Sequence, residues 1–362
     1  MNHRLLDLFC GAGGLSSGLE MAGFEVAAGI DIDSNSVQTF KFNFPKAISL
    51  VRDLGYYHPM TFSKEFGFQE ENFDVIVGGP PCQGFSVSGP RNFDDARNKL
   101  YLEFIKYVEF FKPKAFIAEN VPGLVGLYGG RVKGRVIEAF ESIGYNVSYR
   151  VLLASDYGVP QDRKRVFFVG TKSKRMFKFP NPTHFDTDQM LGSLMGKRLR
   201  KVIVAEAIDD LPLLQNELGH EEADYTHPPS NSYQVYCREG SAKVYNHMAV
   251  RHTEQTRKII ALVPEGGNYK LLPPELQDTR RFHIAWTRID SKKPAPTVDT
   301  GHRHHFHPWV NRVPTVRENA RFQSFQDRFV FQGPKTSQYK QVGNAVPPLL
   351  AKAIGKELMK AL

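Results

Sequence analysis

The chain has 362 residues, 41% of them hydrophobic and 23% charged, a globular composition that excludes disorder over most of its length and leaves room for one large domain with a smaller one inserted or appended. No apolar run approaches membrane-spanning length, and three cysteines, Cys10, Cys82 and Cys237, can neither all pair nor supply a zinc site, so reduced thiols are expected. A formal net charge of +9 and a pI near 9.3 suit a polyanionic partner, although charge alone does not decide one.

"MNHRLLDLFCG" passes straight into a buried strand with no charged-then-apolar leader, from which a cytoplasmic protein is expected. Up to about residue 170, short apolar runs alternate with helical patterns, the signature of a parallel sheet with crossover helices. "RLLDLF", "FEVAAGID", "FDVIVGG", "KAFIAEN" and "RVFFVG" read as its strands. In "LYLEFIKYVEFFKP" the three-residue spacing of Glu103, Lys106, Glu109 and Lys112 predicts a solvated stripe on an otherwise buried helix that Pro113 ends. From about 171 to 300 the chain becomes rich in Pro, Gly and basic residues, as in "GKRLRKV" and "THPPSNSY", and reads as a smaller, loop-rich domain. "QVGNAVPPLLAKAIGKELMKAL" then returns to a strong helical pattern that starts on two prolines.

"DLFCGAGGLSSGL" is a strand, a tight glycine turn and a helix start, where glycines admit positive φ and the close approach of a ligand. Against the dinucleotide fingerprint, Ser16 stands where a third glycine belongs, which weakens a nicotinamide reading. Asp31, ending the next strand, lies at the distance of a ribose-binding carboxylate. A nucleoside-containing cofactor fits, its identity open at this level; a turn needed only for packing is the plainer alternative.

Cys82, in "GGPPCQGFS", follows a buried strand behind Pro80 and Pro81, which fix φ and hold the turn stiff. That exposes a thiol at the carboxyl edge of the sheet, where open α/β folds bind ligands. A thiolate there is a nucleophile if its pKa is lowered, whereas a lone cysteine is more often inert. Glu119 ends the next strand and would emerge on the same edge; singly it is a cap or ion-pair partner, beside a nucleophile an acid that protonates or polarises the substrate. Arg163 and Arg165, in "QDRKRVFFVG", have an i, i+2 spacing that places both on one strand face, suited to carbonyl or phosphate contacts.

These motifs, in this order, resemble those of the C5-cytosine DNA methyltransferases: "DLFCGAGGLSSGL", "GGPPCQGFS", "ENV" and "QDRKR", followed by "TVRENARFQSFQD" and "QVGNAVPP". The resemblance spans most of the chain except about 171–285. It implies an α/β, Rossmann-like methyltransferase sheet with a loop-rich target-recognition domain: 1–180 catalytic and S-adenosylmethionine-binding, 181–340 target recognition and hinge, 341–362 returning to the catalytic domain. It implies S-adenosylmethionine as cofactor, S-adenosylhomocysteine as product, and no metal. Carried over position by position, Phe9, Gly11, Ala12 and Gly14 line the cofactor, Asp31 takes its ribose, Ile32, Asp53 and Leu54 its adenine, and Gly79, Pro81, Leu100, Asn344, Ala345 and Val346 complete the pocket. Family members often carry an aromatic residue where this chain has Ile32.

The resemblance further implies that Cys82 attacks cytosine C6, Glu119 serves N3 and the exocyclic amine, and Arg165 holds O2, with Arg163 supporting the site or a phosphate. The base must be flipped out of the duplex to reach them, and Gln83 to Lys99 is the loop that would close over it. Double-stranded DNA is the implied partner, with a cognate restriction endonuclease as a second, for a monomeric protein of the bacterial cytoplasm associated with the nucleoid. "GKRLRK" is a candidate phosphate contact or a solvated face. The histidines of "HRHHFHP", His302, His304, His305 and His307, are expected in a surface loop rather than around a metal. Cys10 and Cys237 are expected to be packing residues. A transfer-RNA cytosine methyltransferase shares the catalytic motifs but adds a "CFT" tripeptide this chain lacks, and a silent cofactor-binding regulator would have lost a motif residue that is present here.

Overall fold

The computed structural model describes residues 3–81, 99–173, 175–186, 198–215, 217–277, 286–301 and 305–362. It divides into two compact units, one of residues 1–153, 164–181 and 348–362, the other of 154–163 and 182–347. The second unit takes in the ten-residue stretch before the last strand of the first.

The first unit is built on a seven-stranded sheet in the order β3-β2-β1-β4-β5-β7-β6. Its strands are β1 (Arg4–Leu8), β2 (Glu25–Asp31), β3 (Ile48–Val51), β4 (Val75–Gly78), β5 (Ala115–Asn120), β6 (Asn146–Leu153) and β7 (Lys164–Thr171). β1 through β5 are parallel neighbours, as their apolar runs and intervening helices predict. β7 is not: it runs antiparallel to both β5 and β6. The wholly parallel sheet expected from the sequence is corrected on that point. β3 and β6 were also missing from that expectation. β3 is four residues of mostly half-buried pattern, and β6 forms the sheet edge with a largely exposed pattern, so neither carries a continuous apolar run.

Helices α1 (Gly14–Glu20), α2 (Ser34–Asn43), α3 (Pro59–Phe66), α4 (Lys99–Phe111), α5 (Gly123–Gly126) and α6 (Arg131–Glu141) connect these strands, and a C-terminal helix, Pro348–Met359, returns to pack on α1. The core between sheet and helices is aromatic, with Phe62, Phe73, Phe104, Phe111 and Phe116 all fully buried and the rings of Phe116 and Phe140 stacked at 3.8 Å. The predicted stripe on α4 is interrupted. Glu103 is buried, held by Lys106 Nζ at 2.9 Å with His58 at 3.8 Å.

The second unit is organised by "TVRENARFQSFQD". Thr315 and Glu318 form a reciprocal capping box, Thr315 Oγ1 accepting from Glu318 N (3.1 Å) and Glu318 Oε2 from Thr315 N (2.7 Å). Glu318 also receives both ends of the Arg312 guanidinium at 2.7 Å, and against the opposing effect of burial this cation holds its carboxyl well below the usual range. One turn on, Arg321 binds Asp327 (2.6 Å) and Asp210, all three of them buried. A fully buried guanidinium with two carboxylates is costly to leave half-made. Arg321→Met is therefore expected to destabilise the protein by about 3 kcal/mol or more, read as a lowered urea midpoint at unchanged m-value; a shift below about 1 kcal/mol would mean that the network contributes little.

Candidate active site

In the first unit the turn after β1 is set by backbone conformation. Phe9, Gly11 and Gly13 all take positive φ (58°, 51° and 96°), and a side chain on Gly13 would strike the Phe40 and Phe44 rings at 2.9 and 2.5 Å. Gly11 has open space where a side chain would sit, and its N–H donates to Asp31 Oδ2 (2.9 Å) while Asp31 Oδ1 accepts from Asp33 N (2.8 Å). Ile32 follows directly and is 65% exposed, an apolar surface beside a carboxylate at the end of β2. Asp53 Oδ1 accepts from Gly55 N (2.8 Å), which ties the loop bearing it, while Leu54 is buried. A Cβ on Gly55 would meet Leu100 at 3.5 Å, so Leu100 borders the same loop. An open glycine turn, a carboxylate and an exposed apolar side chain form a donor set that fits a nucleoside: hydroxyls on Asp31, a flat base on Ile32.

Beneath this turn lies a group that the sequence reading passed over. Asp7 is buried in the middle of the sheet, and its Oδ2 accepts from Ser16 Oγ at 2.6 Å. Burial pushes its carboxyl up to about 7 despite that bond, with Asp31 adding a smaller push in the same direction. The unfolded chain gives up this proton near pH 4 and the folded chain only near 7, so Asp7 lowers stability as pH rises through that window. Asp7→Asn is accordingly expected to flatten the loss of stability between about pH 4 and 7 relative to the wild type, measured as urea midpoints at intervals of pH; parallel curves would refute the assignment. Ser16, which broke the dinucleotide fingerprint, is there to bond Asp7.

Glu119 and Arg165 meet at the edge formed by the carboxyl ends of β4 and β5. Gly78 pairs with Ala118 across these strands, which brings Gly79 beside Glu119, where a Cβ would stand 3.0 Å from Glu119 Oε2. Asn120 Nδ2 donates to Pro80 O (2.9 Å), so the residue after Glu119 pins the chain that leads into Cys82. Described residues end at Pro81; Cys82 and the expected closing loop from Gln83 to Lys99 lie outside them, apart from the backbone of Lys99 in α4. Because β7 is antiparallel, its start lies at this same edge, with Asn120 opposite Val166. Arg165 Nε thereby reaches Glu119 Oε1 at 2.8 Å, both side chains being about seven-eighths buried.

Arg163 is turned onto backbone carbonyls. It precedes β7, is 0% exposed, and sits in the second unit with its guanidinium donating to Val298 O (3.0 Å) and Gly343 O (2.7 Å). The i, i+2 argument fails because the strand starts only at Lys164. Asn344, Ala345 and Val346 also belong to this second unit. The basic run is solvated only in part. Lys201 is buried between Asp156 (3.3 Å) and Asp186 (3.0 Å), Arg200 pairs with Glu206, and Arg198 lies over the Phe185 ring. In the histidine run, His302 and His304 lie outside the described residues. His305 is in a short strand, and His307 is no surface residue: buried, its Nδ1 accepts from Trp309 N and Val310 N at 3.2 Å. Cys10 and Cys237 are buried, and desolvation pushes both thiols up, that of Cys237 to about 12, which leaves them inert as nucleophiles.

Comparison with known proteins identifies the family. The C-5 cytosine-specific DNA methylase family matches residues 3–360. The chain belongs to that family. It is thus a DNA (cytosine-5-)-methyltransferase, of a family that uses S-adenosylmethionine. Among curated relatives it is 38% identical to the type II methyltransferase M.DdeI of Desulfomicrobium norvegicum, over 98% of this chain and 88% of that one. It is 36% identical to M1.HphI of Haemophilus parahaemolyticus, over 99% and 87%. Among solved structures, a DNA modification methyltransferase encoded within an Escherichia coli prophage superposes with a TM-score of 0.78 at 27% identity, covering 99% of both chains. The Dnmt2 methyltransferase of S. pombe matches with a TM-score of 0.61 at 15% identity over 99% of each chain, a likeness of fold alone. Among the described residues, no helix is long and apolar enough to cross a membrane, and no three His, Cys, Asp or Glu side chains are placed to hold a metal ion.

Proposed function

We propose that this methyltransferase modifies one cytosine within a short recognition sequence of double-stranded DNA and so protects that sequence from a cognate restriction endonuclease in the bacterial cytoplasm, where it acts as a monomer. The observation that carries the chemistry is the Arg165–Glu119 pair at 2.8 Å, on the edge where the strand leading into Cys82 ends. The type II relatives at 36–38% identity favour DNA over transfer RNA, and an intact Cys82, Glu119 and Arg165 favour an active enzyme over a silent binder.

S-adenosylmethionine supplies an electrophilic methyl group. Phe9, Gly11, Ala12, Gly14, Asp31, Ile32, Asp53, Leu54, Gly79, Pro81, Leu100, Asn344, Ala345 and Val346 would hold it. The Cys82 thiolate adds to C6 of the flipped base, which raises electron density at C5. Glu119 shares a proton with N3 and hydrogen-bonds the exocyclic amine, and Arg165 orients that carboxylate while its remaining donors take O2. Loss of the C5 proton after transfer expels the thiol. The test is incubation with labelled cofactor and unmethylated bacterial DNA, followed by mapping of modified cytosines. Label at C5 in one short context supports the reading; label on transfer RNA alone would replace it.

A further inference from the structure

Three buried polar side chains of the second unit converge on one piece of backbone. Gln161, Arg163 and Gln323 are each 0% exposed. Side-chain entropy and desolvation make such residues costly unless their bonds accomplish something specific. Gln161 Nε2 donates to Gln323 Oε1 (2.7 Å) and Phe322 O (3.2 Å), and its Oε1 accepts from Val298 N (2.9 Å). Arg163 Nη1 takes the carbonyl of that same Val298 (3.0 Å), and Nη2 that of Gly343 (2.7 Å). Gln323 Nε2 then reaches Val342 O (2.6 Å) and Ala345 O (3.3 Å).

The recipients are the end of the helix Lys335–Asn344 and its C-cap, Ala345. The last carbonyls of a helix have no partner within it and carry its negative end. Pro347 and Pro348 stop the helix from continuing to satisfy them. A guanidinium and an amide do so instead. Gly343 fixes the segment from the other side: a Cβ there would stand 2.1 Å from Asp299 O and 2.7 Å from Thr300 N, so this backbone lies directly on 299–300 and has no room to shift. Within this clamped run Asn344 is the residue left exposed, while Val346 is buried. A backbone tied at Val342, Gly343 and Ala345 presents the intervening Asn344 in one orientation, which is how a binding group is preorganised.

We infer that Arg163, with Gln161 and Gln323, is a positioning residue for the cofactor-binding segment Asn344–Val346, and that it acts on cofactor affinity instead of touching the base or a phosphate. This rests on the reading of that segment as a cofactor wall. The arginine pair of "QDRKR" is then divided by function, Arg165 serving the base and Arg163 the cofactor. "QDR" and "QVGNAV", far apart in the chain, form one structural device.

The test compares wild type, Arg163→Met, Arg163→Lys and Gln323→Met. Affinities for S-adenosylmethionine and S-adenosylhomocysteine are measured by calorimetry, DNA affinity as a function of salt, and amide exchange across 342–346 by mass spectrometry. Arg163→Met is expected to weaken both cofactor forms about tenfold or more, by analogy with the cost of misplacing a binding group by an ångström, and to speed exchange in 342–346, with Arg163→Lys recovering part of the loss. The slope of DNA affinity against salt is expected to stay as in the wild type, since no phosphate contact is removed. A slope reduced by about one with cofactor affinity unchanged would overturn the proposal and make Arg163 a phosphate contact. If Arg163→Met does not fold, Gln323→Met, which removes two of the same bonds without touching a buried charge, gives the same comparison; cofactor affinity within about twofold of wild type there would overturn the proposal. A wild type that binds neither cofactor form would overturn the cofactor reading itself and the proposal with it, whereas wild-type binding with an unaffected variant overturns the proposal alone.

Discussion

Replacing Cys82 by Ala is expected to abolish methyl transfer, lowering the single-turnover rate by at least about 10^4-fold while leaving cofactor and DNA affinity nearly unchanged. The size follows from the substrate. Cytosine C5 is a poor nucleophile, and a side chain that adds to C6 supplies the electron pair with which C5 attacks the methyl group. Without it, binding and orientation remain but the reacting carbon is not activated. No other thiol can take over, because Cys10 and Cys237 are buried and their thiols are held protonated by desolvation. Cys82→Ser retains a smaller nucleophile of much higher pKa and is expected to fall close to the alanine variant. Rapid-quench transfer from labelled cofactor measures the rate, and denaturing electrophoresis with a duplex carrying 5-fluorocytosine reads the adduct, since fluorine at C5 blocks the proton loss that releases the enzyme. Transfer within about tenfold of wild type in the alanine variant would remove Cys82 from the mechanism.

How much of this was legible in the sequence differs from element to element, for physical reasons. β1, β2, β4 and β5 are largely buried on both faces, so each is a short, mostly apolar run between turn residues and could be read directly. β6 is an edge strand whose Tyr149, Arg150 and Val151 are exposed, and no such run marks it. The antiparallel direction of β7 has no signature in its own residues. It depends on where the chain re-enters the sheet after 154–163, which belongs to the other unit. Yet that direction is what brings Arg165 to Glu119. Glu119 itself was legible from its place at the end of an apolar run.

Arg163 illustrates the converse. Spacing of two in an assumed strand put it beside Arg165, but alternation governs only residues inside the strand, and one residue outside it the chain turns the guanidinium onto backbone carbonyls far away in sequence. The charges of "TVRENARFQSFQD" were likewise opaque: Arg317, Glu318, Arg321 and Asp327 have the composition of a solvated helix and form the buried interior of the second unit. Only the Thr315–Glu318 spacing carried a local sign, that of a capping box.

Glu119→Ala is expected to lower kcat/KM about 10^3-fold with little loss of stability, and Glu119→Gln about 10^2-fold. The pair geometry sets the difference. Arg165 Nε donates to Oε1, a bond that a glutamine carbonyl can still accept, so the amide keeps its orientation and can donate to N3. It cannot pass a proton there, and the thiolate adduct is left with charge that the carboxyl would have neutralised. Alanine removes orientation as well and leaves Arg165 without its carboxylate. The pair lies at the sheet edge with both side chains slightly open to solvent, 15% for Arg165 and 12% for Glu119, so separating it costs far less than cutting the interior Arg321 network. Arg165→Lys supplies the control: it keeps the charge but not the fork that serves Glu119 and O2 together, and a loss between that of the two Glu119 variants is expected. Steady-state kinetics beside thermal unfolding separates these effects. A Glu119→Ala protein that loses its fold but, where folded, methylates at the wild-type rate would reduce Glu119 to a structural partner of Arg165.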